Sequence, residues 1–164
     1  MKFTSIVVLA SFLVLLPAQP QGKITTVQKV LRSVSDSPPE DAIKRLLVAQ
    51  TQAWNRGDLE AFMNGYWRSP DLTFFSGASV ANGWQAALQR YQRRYQGTGK
   101  EMGHLEFQDL NIDVLSPDAA FVRGKWELTM ADGKKPHGLF TLILKNTQNG
   151  WHIVHDHTSS ADEK

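Results

Sequence analysis

Apolar residues recur along this chain at two different periods, and the change from one to the other divides it. After Ser37, Ile43, Leu47, Gln50 and Trp54 fall on one stripe, with Leu46 and Ala53 beside it. That is the spacing of a helix with one buried face, and it runs to about Asn55. Ser37-Pro38-Pro39-Glu40 predicts the start, with Ser37 as the cap, Pro38 in the first turn and Glu40 closing a capping box. Gly57 ends the helix, and Asp58 caps a second, short one carrying Leu59, Phe62, Met63 and Tyr66. Leu72 to Ser76 reads as a short strand. A third helix is expected from Asn82, where Trp84, Leu88, Tyr91 and Tyr95 repeat at helical spacing and give it an aromatic buried face. Arg90, Arg93 and Arg94 lie away from that stripe, either as a solvated face or as an anion site.

From His104 the period shortens to two. Ser116-Pro117-Asp118, Asp132-Gly133 and Asn149-Gly150 mark turns between four runs, 104–115, 119–130, 136–146 and 151–158. Short connections between successive strands make an antiparallel meander, and helices followed by a meander make an α+β domain. In the last run strict alternation puts Trp151, Ile153, His155 and His157 on one face. Asp156 then points to the other, toward a dimer contact or a backbone group. Three of the five histidines lie here. Two imidazoles on a cavity wall could bind an anion, move a proton or hold a metal. A His-x-His zinc site needs a third ligand, which His104 or His137 supplies only if the sheet brings one near; no metal is expected. In the run 119–130, Ala120, Val122, Gly124, Trp126 and Leu128 share one face, and Phe121, Arg123, Lys125 and Glu127 the other. Alternation alone does not say which is concave. Arg123 is therefore either a fixed positive charge for a carboxylate ligand or a surface or dimer residue.

Composition changes this picture little. The chain has 164 residues, 41% hydrophobic and 21% charged, enough for one domain with a real core. A formal net charge of +2 gives no ground for a nucleic-acid partner. The absence of cysteine excludes disulfides and thiolate metal sites. Met1-Lys2, the apolar run Ile6 to Leu16 and Pro17-Ala18-Gln19-Pro20 predict a signal peptide over residues 1–18. Cleavage near Ala18 would leave a periplasmic or secreted protein with no stable membrane anchor. Residues 19–37 are a linker or a short helix bearing Ile24, Val27, Leu31 and Val34, and the domain itself is expected over 38–160.

Three segments carry a resemblance. Ala53-Trp54-Asn55-Arg56-Gly57-Asp58, Phe74-Phe75-Ser76-Gly77 and the ending Gly150-Trp151-His152-Ile153-Val154-His155-Asp156-His157-Thr158-Ser159 resemble the nuclear-transport-factor-2-like superfamily. The nearest branch is the small SnoaL-like domains, and the association domain of calcium/calmodulin-dependent kinase II is a more distant relative. The resemblance implies a cone, in which a curved antiparallel sheet wraps around three N-terminal helices and leaves a pocket. It also implies a homodimer through the outer sheet face. The superfamily spans isomerases, dehydratases, cyclases and proteins without known activity, so fold alone leaves the reaction open. Its isomerases use an aspartate base, and Asp71, Asp109 and Asp113 match no such arrangement here.

The pocket is therefore expected to be built from Trp54, Tyr66, Phe75, Trp84 and Tyr91, with Arg123, His155 and His157 as its charged members. Tyr66 and Tyr91 are best placed to bring hydroxyls into it. The first functional expectation is an exported, cofactor-free domain that binds a small hydrophobic or carboxylate ligand. The alternatives are a proton-transfer enzyme of the isomerase, cyclase or dehydratase type, with His155 or His157 as base, and a structural association domain.

Overall fold

The first helix among the described residues, α1 (Pro39–Asn55), buries Ile43, Leu47, Gln50, Ala53 and Trp54, the stripe its spacing predicts. A computed structural model of the chain describes residues 38–98 and 101–161. The expected signal peptide and the segment 19–37 lie outside the described residues. The helix start differs in detail from expectation. Pro38 is the cap residue, Pro39 stands at the first helical position and no side chain caps the end. Glu40 forms instead an exposed ion pair with Lys44 one turn on, at 2.7 Å.

After α1 the chain reverses through Gly57, whose φ of 77° suits a residue without Cβ. Asp58 then caps α2 (Leu59–Met63), accepting the Ala61 N–H at 3.0 Å. The expected strand is β1 (Thr73–Ser76). It turns at Gly77 into β2 (Ser79–Asn82), a strand absent from the sequence reading. Asn82 thus ends a strand, and Gly83 precedes the third helix, α3 (Trp84–Tyr95). The meander follows as β3 (His104–Ser116), β4 (Ala119–Thr129), β5 (His137–Thr147) and β6 (Gly150–Thr158).

The six strands form one curved, open sheet in the order β2-β1-β6-β5-β4-β3. All pairs are antiparallel except β1 with β6. Two bulges bend it. In β3, Asp109 and Leu110 stand opposite one residue of β4, and Asp109 takes a φ of 52°. In β6, Val154 is the extra residue: Leu144 pairs with Ile153 and Ile143 already pairs with His155. A bulge adds one residue to one strand, so it reverses which alternate side chains face the core.

The helices lie against the concave face. The core joins Ile43, Leu47, Phe62, Met63 and Leu88 to Ala120, Val122, Leu142, Leu144 and Ile153 of the sheet. Two polar anchors fasten α1 to β3. Trp54 donates its indole N–H to the carbonyls of Met102 and Gly103 at 3.2 Å each. Asn55 behaves like one more strand residue, accepting the Leu105 N–H at 2.7 Å and donating to the Leu105 carbonyl at 3.1 Å. Among the described residues no helix is long and apolar enough to cross a membrane.

Candidate functional site

A cavity of about 880 Å³ opens between the helices and the concave face. Its apolar wall includes Phe62, Phe74, Leu105, Phe140, Leu142 and Ile153. The aromatic side chains contact one another, Trp54 with Tyr95 at 4.7 Å between centroids and Phe62 with Tyr91 at 5.3 Å edge-on, and Phe74 with Tyr91 at 5.4 Å at a tilt.

One polar chain enters this wall. Tyr66, which is 3% exposed, donates from its hydroxyl to Oδ2 of Asp156 at 2.7 Å. Tyr66 and Tyr91 share a hydroxyl–hydroxyl bond at 3.1 Å. Since the Tyr66 proton is given to Asp156, Tyr91 donates in turn to Tyr66. The other carboxylate oxygen of Asp156 accepts from the Thr158 hydroxyl at 2.7 Å. Asp156 is 3% exposed and lines the cavity together with Tyr66, Tyr91 and Thr158.

Burial sets the protonation of this chain. It pushes the Asp156 carboxyl up from 3.8 to about 6, against the opposing pull of the hydrogen bonds from Tyr66 and Thr158 and of the nearby His157. Burial, aided by the Asp156 charge, holds both the Tyr66 and Tyr91 hydroxyls well above the usual phenol range, so both remain donors. When Asp156 is ionised the chain runs from Tyr91 through Tyr66 to the carboxylate. When it is protonated the carboxyl can itself donate, and the direction can reverse. The arrangement is a row of hydrogen bonds whose direction depends on whether Asp156 holds its proton.

The elements that place these groups come from distant parts of the chain. The segment Gly65–Trp67 runs beside the first half of β6, with Ile153 N–H bonded to the Gly65 carbonyl at 2.9 Å and Trp67 N–H to the Ile153 carbonyl at 2.8 Å. Beyond Val154 that neighbour is replaced by β1, which pairs Phe74 with Asp156. The bulge therefore sits where β6 changes partners. Before it Trp151 and Ile153 face inward; after it Asp156 and Thr158 do, opposite the buried Leu142 and Phe140.

This overturns the face expected for the two histidines. His155 and His157 point to the convex side, not into the cavity. His155 Nδ1 shares a 2.6 Å hydrogen bond with Thr73 Oγ1, and Phe75 contacts both imidazoles edge-on at 5.0 and 6.1 Å. Partial burial, reinforced by His157, lowers the His155 pKa. Phe75 is thus an outer-face residue as well. Arg123 is also outside: β4 has no extra residue there, so Ala120 and Val122 take the core side. The Arg123 guanidinium reaches Asn111 at 2.6 Å and Asp113 at 2.7 Å. Trp84 is buried away from the cavity lining, donating to the Met63 carbonyl at 3.0 Å beneath the Arg68 guanidinium. Of the expected pocket residues, Trp54, Tyr66 and Tyr91 line the cavity. Asp156, assigned by alternation to the opposite face, is the group that strict periodicity misses. Its one signal in the sequence is the polar pair Asp156 and Thr158, two apart in a strand that begins apolar. Among the described residues no three His, Cys, Asp or Glu side chains converge as metal ligands.

A profile of the SnoaL-like domain matches residues 43–163. The chain belongs to the SnoaL-like family. Among solved structures this SnoaL-like domain is similar to a nuclear-transport-factor-2-like protein of unknown function from Shewanella oneidensis. The two are 39% identical, with a TM-score of 0.69, over 74% of this chain and 99% of that one. It shares the fold of a ketosteroid isomerase-like protein from Erwinia carotovora atroseptica, at 22% identity, TM-score 0.61, 75% of this chain and 96% of that one. The fold is likewise that of a putative calcium/calmodulin dependent protein kinase II association domain from Xanthomonas campestris, at 16% identity, TM-score 0.57, 79% of this chain and 92% of that one. No curated protein matches the chain.

Proposed function

We propose that this SnoaL-like domain binds a small, mainly hydrophobic compound in its cone and sets an oxygen of that compound against the Tyr91–Tyr66–Asp156 row. The observation that carries this reading is Asp156: a carboxyl buried on the wall of a ligand-sized cavity and held near pH 6. A structural core has no need of an ionisable group that costs stability when charged. A thermal-shift screen against small carboxylates, steroids and polyketide-like ketones tests the reading, because a compound that binds the native state must raise its melting temperature. At least one class should do so, and less in Tyr91→Phe. A screen without any shift would favour the association-domain reading instead.

The same carboxyl supports a second reading, proton transfer on a carbonyl compound. Ionised Asp156 would take a proton from the carbon beside the carbonyl, while the Tyr91 hydroxyl turns its proton from Tyr66 to the oxygen that gains charge. Returning that proton to another carbon gives an isomer, with nothing lost or added. Asp156 replaces His155 and His157 as the base in this reading, and the description of one fold relative as ketosteroid isomerase-like is in keeping with it. Protein-dependent exchange of those hydrogens in deuterium oxide, lost in Asp156→Asn, would bear it out.

Export and self-association are further parts of the proposal. The sequence of residues 1–18 supports export, and the mass of the mature protein checks it. The exposed Leu139 and Ile143 of β5 support a homodimer, which sedimentation in solution by analytical ultracentrifugation checks.

A further inference from the structure

The ionic groups around the cavity divide unevenly. Lys134 and Asp132 neutralise each other at 2.7 Å, and Glu101 accepts the Ala131 N–H at 3.0 Å. Arg90, Arg93 and Arg94 of α3 also line the cavity. Among the described residues these three guanidinium groups have no carboxylate partner within ion-pair distance and no hydrogen bond. Arg90 is the innermost. It is half-buried, and its Cζ lies 5.4 Å from the centre of the Phe74 ring. The Tyr91 ring lies 5.4 Å from that same centre. Phe74 in turn is the register partner of Asp156. One aromatic ring thus separates an unpaired planar cation from the end of the hydroxyl row.

A half-buried guanidinium with all its donors unspent, beside an apolar wall, is matched by a planar anion. We infer that the compound is a carboxylic acid with an apolar body, its carboxylate on Arg90 and its second oxygen on Tyr91, with Arg93 and Arg94 drawing it to the mouth. The inference rests on the binding reading above and specifies the charge of what is bound. A neutral steroid-like compound would leave Arg90 unmatched. A phosphate ester would lose the flat two-point pairing and carry more charge than the apolar wall suits.

The test is isothermal titration of the full chain with 4-oxo-4-phenylbutanoate and with its uncharged primary amide. The two share ring and ketone and differ in charge. The acid should bind about ten- to a hundredfold more tightly, and its affinity should fall with added salt while that of the amide holds. Arg90→Gln should abolish the preference, so that acid and amide bind the variant equally. Arg90→Lys should restore part of the preference. Should Arg90→Gln not fold, the salt dependence in the unmodified chain carries the test. Equal affinities in the unmodified chain, or a preference that survives Arg90→Gln, would overturn the role of Arg90 while leaving the binding reading intact. Failure of both compounds to bind would overturn both.

Discussion

The hydroxyl of Tyr66 and the carboxylate of Asp156, ninety residues apart, meet at 2.7 Å in the wall of the cavity. That bond opposes the effect of burial on the carboxyl. Tyr66→Phe removes it, so the Asp156 titration should move up from about 6. The loss of a buried charge-assisted bond should also destabilise the fold by about 1–3 kcal/mol. Carboxyl-carbon NMR across a pH series reads the first effect and urea melts the second. An unmoved titration would mean that Tyr66 does not donate to Asp156.

Asp156 also makes a prediction about pH and stability. In the folded chain it keeps its proton up to about 6, whereas the ordinary value is 3.8. Between those values the native state binds the extra proton, so its contribution to stability falls as pH rises and levels off above the upper one. The full effect is about 3 kcal/mol. Asp156→Asn removes the titration. The stability of the variant minus that of the parent should therefore climb across this window and then stay flat. A difference that is constant with pH would contradict the raised carboxyl.

His155 and His157 lie on the convex face, and this separates them from the cavity. His155→Ala and His157→Ala should leave the affinity of any cavity ligand within about twofold, while Tyr91→Phe should weaken it by roughly tenfold through loss of one hydrogen bond. Titration of the three variants with one ligand decides the point. A large loss in either histidine variant would place an imidazole back in the site.

Asn55 joins the end of α1 to β3 through two backbone bonds at Leu105. Asn55→Ala leaves both backbone groups without that partner and should cost about 1–3 kcal/mol. Asn55→Asp keeps the acceptor and loses the donor, so it should fall between the two. Chemical denaturation ranks the three. Equal stability of Asn55→Ala and the parent would show that the bonds are replaced by water.

The relation between the family motif and the fold is legible residue by residue. Trp54 and Asn55 tie α1 to β3, Gly57 reverses the chain and Asp58 caps α2. The helical stripe of α1, the aromatic face of α3 and the four-strand meander follow from local periodicity, because a buried face imposes its own spacing on the residues that fill it. The short strand β2 was not legible. Ser79 to Asn82 is mostly exposed and lacks the alternation of a buried face, so its pairing with β1 rests on backbone bonds that leave little trace in residue type.

Local pattern determined the class of fold and the helix stripes, and the family resemblance implied the pocket to which Tyr66 and Tyr91 bring hydroxyls. Tertiary structure decided which side of β6 carries the chemistry. Val154 is accommodated as a bulge because the strand exchanges Gly65–Trp67 for β1 as its neighbour at that point, and one extra residue turns two histidines outward and Asp156 inward. A period of two cannot reveal where it is interrupted when the interruption is made by partners from elsewhere in the chain.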